Sequence, residues 1–241
     1  MRRAGGRRHR YTAASARLYG SIGIEGTTYQ IGFDAVRELL GDISGQTFLD
    51  FGCGTGRSTA FLQALGAGQV YGLDHDRHML DAARARRTGR AAFLLSADGA
   101  IPLPDVSVDG AVSLNVFVEL RTPDQILQVC GEVARVLRPG GQFIVESTSP
   151  MAFGHVFRSY RYPQAEGLRS GSRTPCIVTT AEGQIVIEDT YWTEDDYARA
   201  LTQAGLTITA ISYPRPADPS AWSTDEATVS PCIILQAAKP R

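Results

Sequence analysis

The stretch LDFGCGTGRST, residues 49–59, sets Asp50 two positions ahead of Gly52 and continues with Cys53, Gly54 and Gly56. Asp74 closes the run QVYGLD, and Asp98 closes AAFLLSAD. A glycine loop at the end of a strand turns backbone N–H groups and the positive end of the next helix toward a ligand beyond the strands. A dinucleotide fingerprint would read G-x-G-x-x-G, but Arg57 stands where its third glycine belongs. The pattern is instead D-x-G-x-G-x-G. A phosphate has little use for the Asp50 carboxylate, whereas a cationic amino group does. Asp74 can accept two hydrogen bonds from ribose hydroxyls, and Asp98 suits an exocyclic amine.

These residues need strands to carry them, and the chain supplies the strands. TFLDF (47–51), QVYGLD (69–74), AAFLLSAD (91–98), DGAVSLNV (109–116) and GQFIVES (141–147) are short apolar runs. Between them lie amphipathic stretches: GFDAVRELLGD (32–42), RSTAFLQALGAG (57–68), DRHMLDAARARR (76–87) and TPDQILQVCGEVARVL (122–137). The last opens with Thr122 as N-cap, Pro123 at the first helical position and Gln125 completing a capping box. Continuous apolar strands separated by helices predict a parallel sheet covered on both faces, a doubly wound α/β fold. Beyond residue 147 the rhythm changes. Residues 149–175 are irregular and rich in aromatics and arginine, and CIVTTAEGQIVIEDTYW (176–192) predicts an inserted β-hairpin. TEDDYARALTQAG predicts another helix, capped by Thr193 and Asp196 and ended by Gly205. LTITAISY and PCIILQAAK supply two final strands, the latter closing the sheet.

Three carboxylates at successive strand ends fit a nucleoside with an α-amino acid tail and no phosphate, which describes S-adenosylmethionine. LDFGCGTG, GLD (72–74), SADG (96–99), DGAVSLNVFVEL (109–120) and EVARVLRPGGQFIV (132–145) together resemble the class I S-adenosylmethionine-dependent methyltransferases. That resemblance runs from about residue 30 to residue 147, along the strand–helix template of open α/β sheets. It implies a seven-stranded Rossmann-like sheet of order 3-2-1-4-5-7-6 with strand 7 antiparallel. It also implies that Asp50 and the Gly52–Gly56 loop, Cys53 included, hold the methionine moiety, with Asp74 on the ribose. His75, beside Asp74, joins this set. Asp98 and Gly99 would contact adenine, and Asn115 would stand near the methionine or sulfonium end. S-adenosylhomocysteine would be the product. Each residue has a plainer reading too: the loop as a tight turn, Asp74 as a helix cap, Asp98 as a turn residue, Asn115 as a strand-end cap. Gly140 and Gly141 read as a structural turn and Arg57 as a solvated side chain.

Methyl transfer is an in-line displacement, so alignment of a nucleophile is the main task. A phenol, alcohol or carbon acid gains from a general base, an amine less so. His155, about eight residues past strand five, Glu119, after strand four, and Tyr19, with Tyr11 and Tyr29 in the N-terminal segment, are the catalytic candidates. Residues 1–31 are expected to fold as an arm or lid over the cofactor, and 149–192 to face the acceptor. Phe153, Phe157, Tyr160, Tyr162, Tyr191 and Trp192 offer apolar walls there, or else pack the hairpin. The acceptor class this favours is a small molecule, with secondary metabolism as its setting. Two other readings use the same pocket: a cyclase or lyase that consumes S-adenosylmethionine without methyl transfer, and a catalytically silent binding module.

Composition narrows the classes further. With 241 residues the chain can bury one full core. A net charge of −1 and the absence of a proline-pair motif in SLNVFVEL disfavour nucleic-acid substrates. Five arginines crowd residues 1–10, but no apolar segment follows to make a signal peptide. No run approaches the ~18 apolar residues that span a bilayer. The expectation is a cytoplasmic monomer or homodimer with one domain over 1–241. Cys53, Cys130, Cys176 and Cys232 lack any CxxC spacing, and His75 and His78 lack a third ligand, so neither disulfide nor metal is expected.

Overall fold

A computed structural model describes residues 11–86, 89–96, 99–164 and 166–241. Its main sheet contains β1 (Thr47–Phe51), β2 (Gln69–Asp74), β3 (Ala91–Leu95), β4 (Val108–Leu114) and β5 (Leu137–Thr148). β9 (Thr207–Ser212) and β10 (Cys232–Ala238) complete it, in the order β3-β2-β1-β4-β5-β10-β9. β10 lies antiparallel between β5 and β9, while β1 to β5 run parallel. This is the predicted order with the last strand reversed. β4 and the inner half of β5 are buried almost throughout, as parallel strands with helices on both faces must be.

Helices cover the two faces. On one, α2 (Thr28–Leu40) and α3 (Arg57–Ala64) bury Phe33, Val36, Leu40, Phe61 and Leu62 against Phe48 and Ile144. On the other, α5 (Pro123–Val136) and α6 (Glu194–Gln203) bury Ile126, Val129, Val133, Tyr197 and Leu201 against Leu49, Phe143 and Leu235. Thr122 caps α5 by accepting from the Gln125 amide at 3.2 Å. Gln125 reaches one residue beyond the expected box, its Oε1 accepting from the Arg121 amide at 2.7 Å. Thr193 and Asp196 form the full reciprocal box on α6.

α4 (Arg77–Ala85) is capped by Asp76, whose carboxylate accepts from the amides of His78 and Met79. The cap is therefore Asp76 and not Asp74, which is left to other work. β3 ends at Leu95, three residues short of the predicted end.

The insertion is larger than a hairpin. β6 (Tyr160–Arg161) pairs with β7 (Arg173–Thr180), which pairs with β8 (Gly183–Thr190), making a second sheet of three strands. Tyr160, Tyr162, Cys176, Val178 and Ile187 join the same core as α2 and α3. α1 (Ala13–Gly20) packs against α4 and β8 and so bridges the two sheets. A buried polar exchange pins the start of α2 to the insertion. The Thr28 amide donates to Ser159 Oγ (3.0 Å) and the Ser159 amide to Thr28 Oγ1 (2.9 Å). Thr28 Oγ1 in turn donates to Glu226 Oε1 at 2.6 Å.

Trp192 packs on the opposite side of the main sheet from the acceptor-facing aromatics, its indole N–H donating to the Leu120 carbonyl at 3.0 Å. All four cysteines are free and buried. Among the described residues no helix is long and apolar enough to cross a membrane.

Candidate functional site

A trough runs along the carboxyl ends of β1, β2 and β4 and divides into three compartments with shared walls. The first, about 450 Å³ of empty space, is lined by Gly52, Asp74, His75, Ser96, Gly99, Val116 and Glu119 among others. The second, about 320 Å³, lies over the glycine loop between Tyr19, Cys53, Gly54, Thr55, Arg57 and Asn115. The third, also about 320 Å³ with the solvent at its mouth included, lies between α1, α2 and the second sheet. Gly52 borders the first two, Tyr19 and Asn115 the last two, and Glu119 the first and third.

The glycine loop owes its shape to its own hydrogen bonds. The amides of Gly52 and Cys53 both donate to the Leu73 carbonyl, at 2.7 and 2.9 Å, and that of Gly56 donates to the Cys53 carbonyl. Gly54 N donates to Asp74 Oδ2 at 2.8 Å. These four amides are thus spent inside the protein, and the expected cradle of N–H groups is instead a contoured floor. Gly52 sits at φ +74°, where a Cβ would come within 2.3 Å of Val116 Cγ2, so only glycine fits. At Gly54 a Cβ would meet nothing within 4 Å. The floor is open at that point.

Asp74 is buried and lines the first compartment. Its second oxygen, Oδ1, accepts from the Asp76 amide at 2.8 Å, with His75 Nδ1 3.5 Å away. Burial raises its pKa, while the amides of Asp76 and Gly54 and the His75 ring draw it back down. Asp50 is different. It is fully buried behind the loop and lines none of the compartments, and its Oδ2 accepts from Ser58 (2.8 Å) and Thr59 (2.5 Å) at the start of α3. Burial lifts its pKa to about 6. Asp50 therefore anchors the loop-to-helix turn through Oδ2, while its buried Oδ1 has no hydrogen-bond partner. Asp98 lies outside the described residues; its neighbour Gly99 lines the first compartment.

Asn115 occupies the left-handed region at φ +59°, its amide donating to the Glu146 carbonyl at 2.9 Å. Asparagine tolerates this conformation better than most residues, and it sets the side chain at the wall between the second and third compartments. Arg57, read from the sequence as solvated, is not. Its guanidinium lies 4.3 Å from the Tyr29 ring centre and 5.2 Å from that of Tyr19, and donates to Tyr19 Oη at 3.2 Å. Helix geometry explains this: as the first residue of α3, Arg57 points its side chain back over the loop, where Tyr19 of α1 and Tyr29 of α2 cover it.

Of the catalytic candidates, the structure brings together Glu119 and Tyr19. Glu119 ends a 3-10 turn (Phe117–Glu119) after β4, and its Oε1 accepts from Tyr11 Oη at 3.3 Å. Tyr11 also donates its amide to Asp76 Oδ2, so the start of the described chain is tied both to the acid after β4 and to the cap of α4. Tyr19 and Tyr29 are held neutral because burial raises both phenols. His155 is elsewhere. It lines none of the three compartments, is 39% exposed, and sets Nδ1 3.0 Å from Asp225 Oδ2. The backbone after β5 turns through a 3-10 segment (Pro150–Ala152) and carries this histidine outward, while Tyr160 and Tyr162 point in.

Sequence reasoning missed Asp189. It is 2% exposed, lines the third compartment, and accepts from Tyr162 Oη at 2.5 Å, with Tyr162 2.9 Å from Thr148 Oγ1. Its Oδ1 has no hydrogen-bond partner. Burial pushes its pKa up to about 7, against the pull of Tyr162 and Cys176. The signal was present: Ile185, Ile187 and Asp189 alternate onto one face of β8, which puts a charge in an inward register. Among the described residues no group of three or more His, Cys, Asp or Glu could hold a metal ion.

Comparison with known proteins bears on the family and the fold. Residues 49–145 match the family described as "Methyltransferase domain". The chain is 34% identical over 183 residues to a demethylmenaquinone methyltransferase of Tropheryma whipplei, covering 73% of this chain and 72% of that protein. It is 27% identical over 177 residues to N-demethylindolmycin N-methyltransferase of Streptomyces griseus, covering 71% and 75%. Solved structures share the fold. An S-adenosylmethionine-dependent methyltransferase from Mesorhizobium loti superposes with a TM-score of 0.67 at 20% identity, over 90% of this chain and all of that one. Streptomyces venezuelae DesVI gives 0.66 at 19%, over 97% and 100%. With the reversed last strand, the glycine floor and the buried acid at the end of β2 in place, the chain belongs to the class I S-adenosylmethionine-dependent methyltransferases.

Proposed function

We propose that the protein methylates a small-molecule acceptor held in the third compartment, of the secondary-metabolite kind expected from the sequence. One observation carries this reading: that compartment shares Tyr19, Asn115 and Glu119 with the trough along the strand ends. Two relatives whose names specify small acceptors, N-demethylindolmycin and demethylmenaquinone, support the same class.

The residues present fit S-adenosylmethionine. Asp74 offers its carboxylate, with His75, to the vicinal hydroxyls of a ribose, and Gly99 borders the space beyond for the adenine, where Asp98 is also expected. Over the glycine floor, the Arg57 cation suits the carboxylate of the amino-acid tail, with Gly52, Cys53, Gly54 and Asn115 around it and Gly56 turning the chain into α3. Asp50 acts as a positioning residue for that turn. When bound, the cofactor supplies a methyl group on a sulfonium to a nucleophile brought in line with it. Tyr19, Asn115 and Glu119 would then border the point of transfer, and the lid made by α1 would exclude water.

Calorimetry tests the first half: S-adenosylhomocysteine is expected to bind with roughly micromolar affinity, about 8 kcal/mol. No heat and no thermal shift would overturn it. Labelled S-adenosylmethionine, screened against small amines, phenols and quinols, tests the second. Release of methylthioadenosine without any acceptor would point to a lyase instead.

A further inference from the structure

The third compartment has an unusual charge balance for its size. Among the described residues lining it are two acids, Glu119 and Asp189, and no lysine, arginine or histidine. Four tyrosines, Tyr19, Tyr29, Tyr160 and Tyr162, supply ring surface, and Val118, Val178 and Ile187 supply apolar wall. Arg57 lies against the Tyr29 and Tyr19 rings from the adjoining cofactor-side compartment and does not line this chamber. An anionic acceptor would enter against two carboxyl groups. A cation on an apolar body would meet aromatic faces and a carboxylate, the two groups that favour it most.

Asp189 is built for one partner more than it has. The chain Thr148–Tyr162–Asp189 holds Oδ2, at 2.9 and 2.5 Å, and leaves buried Oδ1 without a hydrogen bond. A buried polar atom without a partner costs about 1–3 kcal/mol, so a donor brought to Oδ1 recovers that loss. Resting on the methyltransferase reading, we propose that the acceptor is an aryl-alkyl amine that enters as an ammonium ion and passes a proton to Asp189 Oδ1. In that step an N–H bond breaks, its electron pair stays on nitrogen as the nucleophilic lone pair, and the proton forms an O–H bond on Asp189. The lone pair then forms the bond to the methyl carbon as the carbon–sulfur pair departs with sulfur. The proton on Asp189 returns to water when the lid opens. Asp189 thereby touches the reacting nitrogen, whereas Tyr162 and Thr148 position it.

The groups sharing the chamber with Asp189 are Tyr19 on α1, Tyr29 on α2, Glu119 after β4, Thr148 on β5, Tyr160 and Tyr162, and Cys176 on β7. Burial raises the tyrosines and the thiol and keeps them neutral.

The test uses the full chain saturated with S-adenosylhomocysteine and three probes of one shape: 2-phenylethylamine, 2-phenylethanol and phenylacetate. Titration calorimetry at pH 8 is expected to show the amine binding at least about tenfold tighter than the alcohol, the lower bound for a hydrogen bond to a charged group. Phenylacetate should not bind. Asp189→Asn should bring the amine down to the level of the alcohol and leave S-adenosylhomocysteine affinity unchanged. In the wild type the advantage should shrink as pH falls below about 7, where the Asp189 carboxylate becomes neutral. This pH series decides the matter alone if the variant does not fold. An amine that binds no better than the alcohol, or an advantage that survives in Asp189→Asn, overturns the proposal. Failure of S-adenosylhomocysteine itself to bind would instead overturn the methyltransferase reading.

Discussion

The two halves of the trough are built by different means. On the cofactor side, Gly52, Cys53 and Gly54 bond to Leu73 and Asp74, only about 20 positions along the chain, and most of the contacts are backbone amides. On the acceptor side, Tyr19, Asn115, Thr148, Tyr162 and Asp189 come from five separate segments, and side chains make the contacts. Backbone geometry tolerates change in side-chain identity everywhere except at the glycines. A side-chain chamber changes with each substitution. The same scaffold can therefore keep one cofactor and exchange acceptors, which is how function varies on a fixed fold.

Removing Asp189 should separate the halves most sharply. With the acceptor found by screening, Asp189→Asn is expected to lower kcat about 10²–10⁴-fold, as loss of a positioned proton acceptor does. The affinity for S-adenosylhomocysteine should not move. Loss of both together would mean that the chamber and trough fold as one unit, and the comparison would fail.

The converse substitution is Asp74→Ala. It removes an acceptor for charged hydrogen bonds and is expected to weaken S-adenosylhomocysteine by about 1.5–3 kcal/mol, read by calorimetry, with binding of 2-phenylethylamine little changed once cofactor saturates. Because Gly54 N loses its partner too, a modest fall in Tm accompanies it. Unchanged affinity would reduce Asp74 to a brace for the loop.

Stability against pH gives a smaller effect with a definite sign. The folded pKa of Asp189 is about 7 and that of Glu146 about 7, with Asp50 at about 6, all raised by burial. An unfolded aspartate titrates near ~3.9. Between those values these three groups hold more protons in the folded chain than in the unfolded one, so their contribution to stability is full below about pH 4 and declines as pH rises toward 7. Thermal melts of the protein alone should show Asp189→Asn losing less stability than wild type between pH 5 and 8. Parallel curves would mean that Asp189 is ionised at little cost.

The smallest effect is expected at His155. Its half-exposed pairing with Asp225 contributes no more than about 1 kcal/mol, and His155→Ala should leave kcat within a factor of about three. A large loss of kcat would bring the loop after β5 into the chemistry and widen the acceptor side beyond the chamber.

Much of the cofactor side was legible because its signals are local. A glycine that must adopt φ +74°, an acid at the last position of β2 and apolar runs for buried parallel strands are all short-range patterns. The local reading failed where a side chain's partners lie far off. Asp50 reads as a ligand group from its distance to the glycines, and nothing in that spacing announces that Ser58 and Thr59 hold its Oδ2. Arg57 looked solvated because nothing nearby in sequence announced that Tyr19 and Tyr29 would cover it. His155 has the chemistry of a base but stands on the outward side of its turn, a matter of two or three backbone dihedrals that residue type does not encode.

The sequence by itself determined the doubly wound sheet, its reversed last strand through the family likeness, and the cofactor that fits its strand ends. The sheet and the cofactor follow from periodicity and spacing, which act over one or two elements, whereas the reversed strand follows from the likeness alone. Only the tertiary structure decided what the acceptor meets. It set β8 beside α1 and Thr148, turned Asp189 inward with one oxygen bound and one without a partner, and left His155 outside. The physical reason is that a buried carboxyl takes its character from what surrounds it. Those surroundings are assembled from residues more than a hundred positions apart.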